Sequence, residues 1–189
     1  GWQWGGGWLA SGGFSDFAGS TLVHGCGGAA ALAGVIVLGA REGRFGRRGE
    51  KRSMQPFAAS SIPLVTLGTF LLWFGWFGFN GGSQLAMGTA NDAIAVSKIF
   101  INTLLAGAGG VMAAATVTRL SGKTDVVQML NGCIGGLVAI SFTGLMEVYS
   151  MSILPAMLIG LLIGLACGFI NGYITVKTGI SAFIITLAT

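Results

Sequence analysis

His24 is the one histidine in the chain, and it lies in an apolar stretch, residues 17–40, that contains no Asp, Glu, Lys or Arg. An ionisable side chain at membrane depth is costly, so it usually faces a cavity and has a function there. A neutral imidazole offers one N–H donor and one acceptor nitrogen, which can relay a proton or a hydrogen bond. The other interpretation is a histidine that bonds to a carbonyl or hydroxyl of a neighbouring helix, and position alone leaves both open.

Asp16 stands at the beginning of the same stretch. A carboxylate at the start of a helix accepts hydrogen bonds from free backbone N–H groups, so a plain helix cap is the first interpretation. Eight helical residues rise about 12 Å, so His24 is expected that far below Asp16 along the helix. Aromatic residues near this end can form an interfacial belt or hold a cation above a pore against their ring faces. These residues are Trp2, Trp4, Trp8, Phe14, Trp73, Trp76, Phe77 and Phe79.

Other chemistry finds little support. Cys26, Cys133 and Cys167 lie in apolar stretches without metal-ligand spacing. The glycine-rich runs follow no strand and carry no Lys-Ser/Thr, so a phosphate loop is disfavoured. A single histidine inside an apolar helix also disfavours a Ser/His/Asp arrangement. We therefore expect no enzyme, no catalytic residue, no metal site and no cofactor.

Composition defines the class of protein. Of 189 residues, 53% are hydrophobic and 8% are charged, whereas a soluble domain carries roughly 25% charged residues. The chain has 34 glycines but three prolines, and its mean hydropathy is +0.79, which is unlike collagen or a disordered tail. Small residues within long apolar segments are typical of helical membrane proteins. The fold class predicted is an all-α, polytopic helical membrane protein.

Charge-free intervals predict where the helices run. Each interval reaches the roughly 20 residues that a helix needs to cross a bilayer, and none keeps a strand-like alternation. This predicts about five transmembrane helices plus a truncated sixth, with both ends of the chain incomplete. The helices are predicted at 18–40, 62–83, 94–118, 126–145 and 153–175, with the sixth starting near Ile180.

The positive charges predict the orientation. Residues 41–52 hold six of the ten Lys and Arg residues, and strict alternation of the helices places nine of the ten on one side. Cationic loops stay in the cytoplasm, so the 41–52 loop is predicted to be cytoplasmic and the N-terminal segment extracytoplasmic. The location predicted is the cell membrane, as a multi-pass protein of a bacterial inner membrane. Because the basic residues gather in one loop, no nucleic-acid partner is expected.

Three stretches between residue 1 and about residue 140 carry recognisable motifs. The first runs from Trp4 to His24 and contains D-F-A-G-S-x-x-V-H. The second is the G-W-F-G-F-N-G-G-S string from Gly75 to Ser83, and the third is the F-I-N-T string that starts at Phe100. Over residues 1 to about 140 these strings resemble the ammonium transporter (Amt/Rh) family. The resemblance is specific, because the first two strings are long and all three stand in the family's order.

The resemblance implies roles for single residues. Trp4 and Ser83 match the outer site that recruits ammonium, and Asp16 matches the buried carboxylate that stabilises this vestibule. Phe79 matches a phenyl ring that closes the pore mouth, and His24 matches the first of two pore histidines. The substrate implied is ammonium or ammonia, in a protein embedded in the lipid bilayer as a homotrimer. Two further residues of the second string, Trp76 and Asn80, are expected to support the site structurally.

Residues 141–189 have a different character. The strings G-x-x-N-G, ending at Gly172, and F-I-x-T-L-x-T, ending at Thr189, resemble the permease subunit of ribose/xylose-type sugar ABC importers. Two domains are therefore predicted, at 1–140 and 141–189. The chain cannot contain the second pore histidine, so transport by this chain alone is not expected. The alternatives are a fragment of a sugar ABC permease or an inactive join of two membrane-protein fragments.

Overall fold

The structure, a computed structural model, describes residues 1–19, 22–39 and 58–139. Within these ranges every regular element is a helix: α1 (Trp8–Ser11), α2 (Leu22–Leu38), α3 (Ile62–Gly82), α4 (Ala90–Leu120) and α5 (Val126–Ala139). Helices α3 and α4 are long and apolar enough to cross a membrane, and α2 and α5 are shorter apolar helices. The all-helical class is confirmed for the described residues. The number of spans stays a prediction.

Some predicted elements lie outside the described residues. They are the end of the helix predicted at 126–145, the helix predicted at 153–175 and the segment starting near Ile180. The cationic loop at 41–52 also falls outside them.

Helix α3 begins where the sequence predicts it, at Ile62. The Ser61 hydroxyl accepts a hydrogen bond from the backbone N–H of Leu64 at 3.4 Å, and Pro63 lies in the first turn. Proline suits this position because the first N–H groups of a helix have no acceptor within the helix.

Helix α4 begins at Ala90, earlier than the predicted residue 94. Thr89 and Asp92 form a capping box, in which each side chain bonds to the backbone N–H of the other residue. The helix predicted at 94–118 left Asp92 in the preceding loop. A carboxylate in the first turn instead stabilises a helix, because it faces the positive end of the helix dipole.

Helix α2 begins at Leu22, later than the predicted residue 18. Gly19 has a φ of 102°, which interrupts any helix continuing from Asp16. His24 therefore lies in the first turn of α2 and not in mid-helix. The expected rise of eight helical residues between Asp16 and His24 is wrong.

Helices α4 and α5 cross with their backbones in close approach. A Cβ added to Gly110 would overlap the carbonyl oxygen of Gly132, and one added to Gly136 would overlap the carbonyl oxygen of Ala106. Helices in a bilayer gain stability from such van der Waals packing, since lipid tails are as apolar as the side chains. Cys133 and Leu137 of α5 are fully buried beside this crossing.

Helix α3 packs on this pair through two tryptophans and an asparagine. Trp76 joins a buried cluster with Cys133 and Leu137, and Trp73 packs partly buried against it. A Cβ on Gly107 of α4 would lie 2.8 Å from the Trp73 indole, so glycine there lets the ring reach the α4 backbone. This packing fixes which face of α3 is turned away from α4 and α5.

Candidate functional site

The Asp16 carboxylate organises the turn that precedes α2. It is buried, and its two oxygens accept hydrogen bonds from different backbone N–H groups, of Gly19 and Leu22, each at 2.8 Å. Charge-assisted bonds of this kind are stronger than neutral ones, and a buried carboxylate needs them. Asp16 therefore caps the first N–H of α2 from six residues ahead of the helix, and it also binds the N–H of Gly19.

Trp4 lies on the same turn. Its indole Nε1 donates to the backbone carbonyl of Asp16 at 2.7 Å, and the ring passes over Gly19, where an added Cβ would lie 3.0 Å from the indole. The side chain is still 57% exposed. The Trp4 indole is thus anchored to the backbone of Asp16 while more than half of the side chain stays exposed.

His24 contacts two aromatic residues of α3, Trp76 and Phe79. Its imidazole stacks on the Trp76 indole, with ring centroids 5.0 Å apart and planes inclined by 16°. It also meets the Phe79 ring at a centroid distance of 5.5 Å. His24 therefore faces the helix of Phe79. Its Nε2 atom is buried without a hydrogen-bond partner among the described residues.

Ser83 caps the C-terminal end of α3. Its hydroxyl donates to the backbone carbonyl of Phe79 at 2.8 Å, one helical turn earlier. The backbone N–H of Ser83 bonds to the Asn80 carbonyl, a tighter i to i+3 turn that closes the helix. Because the hydroxyl hydrogen is engaged in this bond, the oxygen can still accept a hydrogen bond with its lone pairs.

Asn80 ties α3 to α4. Its amide Nδ2 donates to the Thr103 hydroxyl at 3.1 Å, and that hydroxyl donates to the backbone carbonyl of Ile99 at 2.7 Å. The Asn80 Oδ1 and Trp76 Nε1 atoms are buried without a partner in the described part of the chain. These two atoms of α3 therefore keep hydrogen-bonding capacity, and the indole of Trp76 is the ring on which His24 stacks.

The structure thus places the sequence-predicted residues in two groups. His24, Trp76 and Phe79 form one aromatic contact set. Trp4 and Asp16 form the other, while Ser83 connects to Phe79 through the helix backbone.

Sequence reasoning missed three contributors: Thr103, Gln84 and Asp92. The Thr103 hydroxyl accepts a hydrogen bond from the Asn80 amide, and Gln84 Nε2 donates to the Asp92 carboxylate at 3.3 Å. For Asp92 a signal existed, since a Thr three residues before an acidic residue is typical of a capping box.

Comparisons with known proteins give the same family throughout. The sequence model described as the Ammonium Transporter Family matches residues 1–181. The putative ammonium transporter sll1017 of a Synechocystis strain is 46% identical over 143 residues, 74% of this chain and 31% of that protein. Ammonium transporter Amt2 of Archaeoglobus fulgidus is 44% identical over 151 residues, again 74% of this chain and 31% of that protein. The chain thus spans about a third of the length of these relatives.

Comparison with solved structures leads to the same family. A sensor Amt protein superposes with a TM-score of 0.75 at 34% identity, covering 96% of this chain and 42% of that one. The Mep2 mutant delta442 of Candida albicans gives 0.70 at 29% identity, covering 99% of this chain and 41% of that one.

The family match also bears on the C-terminal segment. It continues through residue 181, across most of the segment that resembled a sugar ABC permease, and that resemblance finds no support here. The division into domains at residue 140 stays a prediction. From its first residue through most of its length, the chain belongs to the Ammonium Transporter Family.

Proposed function

We propose that this chain is part of a channel-type transporter that moves ammonium or ammonia across a membrane. The observation that carries the proposal is the His24 ring, which stacks on Trp76 and contacts Phe79, and whose Nε2 is buried without a partner among the described residues. A buried imidazole nitrogen left unpaired is costly, so it is kept where a substrate or a proton can use it.

Trp4 and Ser83 recruit ammonium at the outer mouth. Ammonium offers only N–H donors, so its site needs acceptor atoms and aromatic faces. The Ser83 hydroxyl donates a hydrogen bond to the Phe79 carbonyl, and its lone pairs can accept one from ammonium. The exposed Trp4 ring supplies a cation–π contact of about 0.5–2 kcal/mol.

His24 acts below the mouth, with Phe79 as the gate. An apolar, aromatic-lined passage opposes a bare ion but lets neutral ammonia through. The ammonium ion therefore gives up its proton, and the imidazole relays a proton or a hydrogen bond separately from ammonia. A second pore histidine belongs to a part of the transporter outside this chain.

Asp16 acts on the mouth without contacting the ion. Both of its oxygens are engaged by backbone N–H groups, and its backbone carbonyl accepts the Trp4 indole. The carboxylate therefore holds the turn and the tryptophan in place. Trp76 and Asn80 support the same region from α3.

The setting of the transporter is part of the proposal. The chain spans the cell membrane several times, with its N-terminal segment extracytoplasmic and the 41–52 loop cytoplasmic, inside a homotrimer. The positive-inside distribution of Lys and Arg supports this orientation.

A chimera tests the function. Residues 1–138 replace the matching segment of a complete ammonium transporter, and methylammonium uptake is measured in cells without their own transporters. We expect the chimera to transport and His24→Ala to change its rate or ion selectivity. The matched control is Val23→Ala, an exposed neighbour in the same turn, which should transport normally. If His24→Ala changes neither property in a working chimera, the pore role is wrong.

A further inference from the structure

The connection between α3 and α4 is held at both ends by one carboxylate. It runs from Ser83 to Thr89, and Asp92 lies in the first turn of the following helix. Asp92 Oδ1 accepts from the Gln84 amide at 3.3 Å, at the start of the connection. Asp92 Oδ2 accepts from the Thr89 backbone N–H at 3.0 Å and from the Thr89 hydroxyl at 2.8 Å, at its end.

The middle of the connection has little support of its own. Leu85 is 92% exposed and has a φ of 56°, in the left-handed region that leucine avoids. Met87 is exposed as well. Since local preference opposes this path and packing does not favour it, the bonds at the two ends determine the conformation.

Ser83 is adjacent to the first of these bonds. The backbone N–H groups of Ser83, Gln84 and Leu85 bond to carbonyls of the last turn of α3. The Gln84 side chain then reaches across to Asp92. A displacement of Gln84 would rotate the backbone that orients the Ser83 hydroxyl.

We propose that Asp92, acting through Gln84, is a positioning residue for the Ser83 hydroxyl at the outer mouth. The inference rests on the proposed role of Ser83 in recruiting ammonium. Asp92 does not touch the ion. It keeps the end of α3 and the start of α4 at a fixed separation, so that the Ser83 oxygen points its lone pairs outward.

The alternative is a purely structural role, in which Asp92 only caps α4. The two roles predict different results when Gln84 is replaced, because the capping box needs Thr89 and Asp92 but not Gln84. Gln84→Met keeps the length of the side chain and the cap but removes the donor. A capping role alone predicts that Gln84→Met has no effect on uptake.

The test measures methylammonium uptake by the complete transporter carrying residues 1–138 of this chain. Gln84→Met and Asp92→Ala should each raise the KM about fivefold, the effect of one ordinary hydrogen bond, with Vmax per folded molecule unchanged. Asp92→Glu should recover part of the affinity. Asn91→Ala, an exposed neighbour in the same turn, is the control and should keep the parental KM.

A Ser83→Ala background gives the decisive comparison. If Asp92 acts through the Ser83 hydroxyl, Gln84→Met raises KM no further once that hydroxyl is gone. If Ser83→Ala raises KM but Gln84→Met never does, the positioning role is wrong and the recruitment site stands. If Ser83→Ala leaves KM unchanged, both proposals are overturned.

Discussion

The imidazole of His24 on α2 stacks on the indole of Trp76 on α3, with centroids 5.0 Å apart and planes inclined by 16°. Trp76 is itself buried against Cys133 and Leu137 of α5. The orientation of His24 therefore depends on how α3 packs against α5, and not on α2 alone.

Replacing Trp76 should disturb His24. Trp76→Phe keeps an aromatic face for the imidazole, whereas Trp76→Leu removes it, so uptake by the chimera should fall more for Trp76→Leu. Phe74→Leu is the matched control, because Phe74 lies on the same helix and is 80% exposed. Rates are to be divided by the amount of folded protein in the membrane. Equal uptake for the two Trp76 variants would show that the stack does not matter for transport.

The α4–α5 crossing should not tolerate a methyl group. Gly110→Ala forces the Gly132 carbonyl away, and overpacking of this kind costs about 1–3 kcal/mol. A lowered Tm of the detergent-solubilised chimera should report it. Gly75→Ala on α3 is the control, since an added Cβ there meets no described residue within 4 Å. A Tm loss as large for Gly75→Ala would contradict the assignment of the close crossing to Gly110.

Asp16→Asn should destabilise the protein much more than Asp125→Asn. Asp16 uses both oxygens for two N–H groups, whereas Asp125 uses Oδ1 alone for those of Val127 and Gln128. Asparagine keeps a single acceptor oxygen, so Asp16→Asn leaves one N–H facing an amide NH₂. We expect a loss of about 1–3 kcal/mol for Asp16→Asn and almost none for Asp125→Asn, measured by Tm. Similar losses at both positions would refute the two-oxygen account.

The orientation inferred from the charges can be tested by cysteine labelling. After Cys26, Cys133 and Cys167 are replaced by serine, single cysteines are introduced at Ala10, Gln84 and Gly46. A membrane-impermeant reagent should label the first two from outside, while Gly46 reacts after the cells are opened. Labelling of the cysteine at position 46 in intact cells would contradict the proposed topology and indicate the inverse orientation.

Local patterns sufficed for the membrane class, the family and the start of α3. Composition, charge-free length and the Ser61 and Pro63 signals act within a few residues of the chain, so they are readable without contacts. Asp16 does accept from the first N–H of α2, but it lies six residues ahead of that helix and not at its start, where the sequence had placed it. The late start of α2 was missed because Gly19 shows its positive φ only in the folded turn.

The arrangement of the site was decided by tertiary structure. Among 34 glycines, sequence could not select Gly110 and Gly136 as the crossing point, because a small residue is informative only when a second backbone lies against it. The stacking of His24 on Trp76 and the bond from Gln84 to Asp92 likewise join separate elements. The face that each helix turns to its neighbour follows from how α3, α4 and α5 pack together, and that packing depends on all the side chains at the interfaces at once.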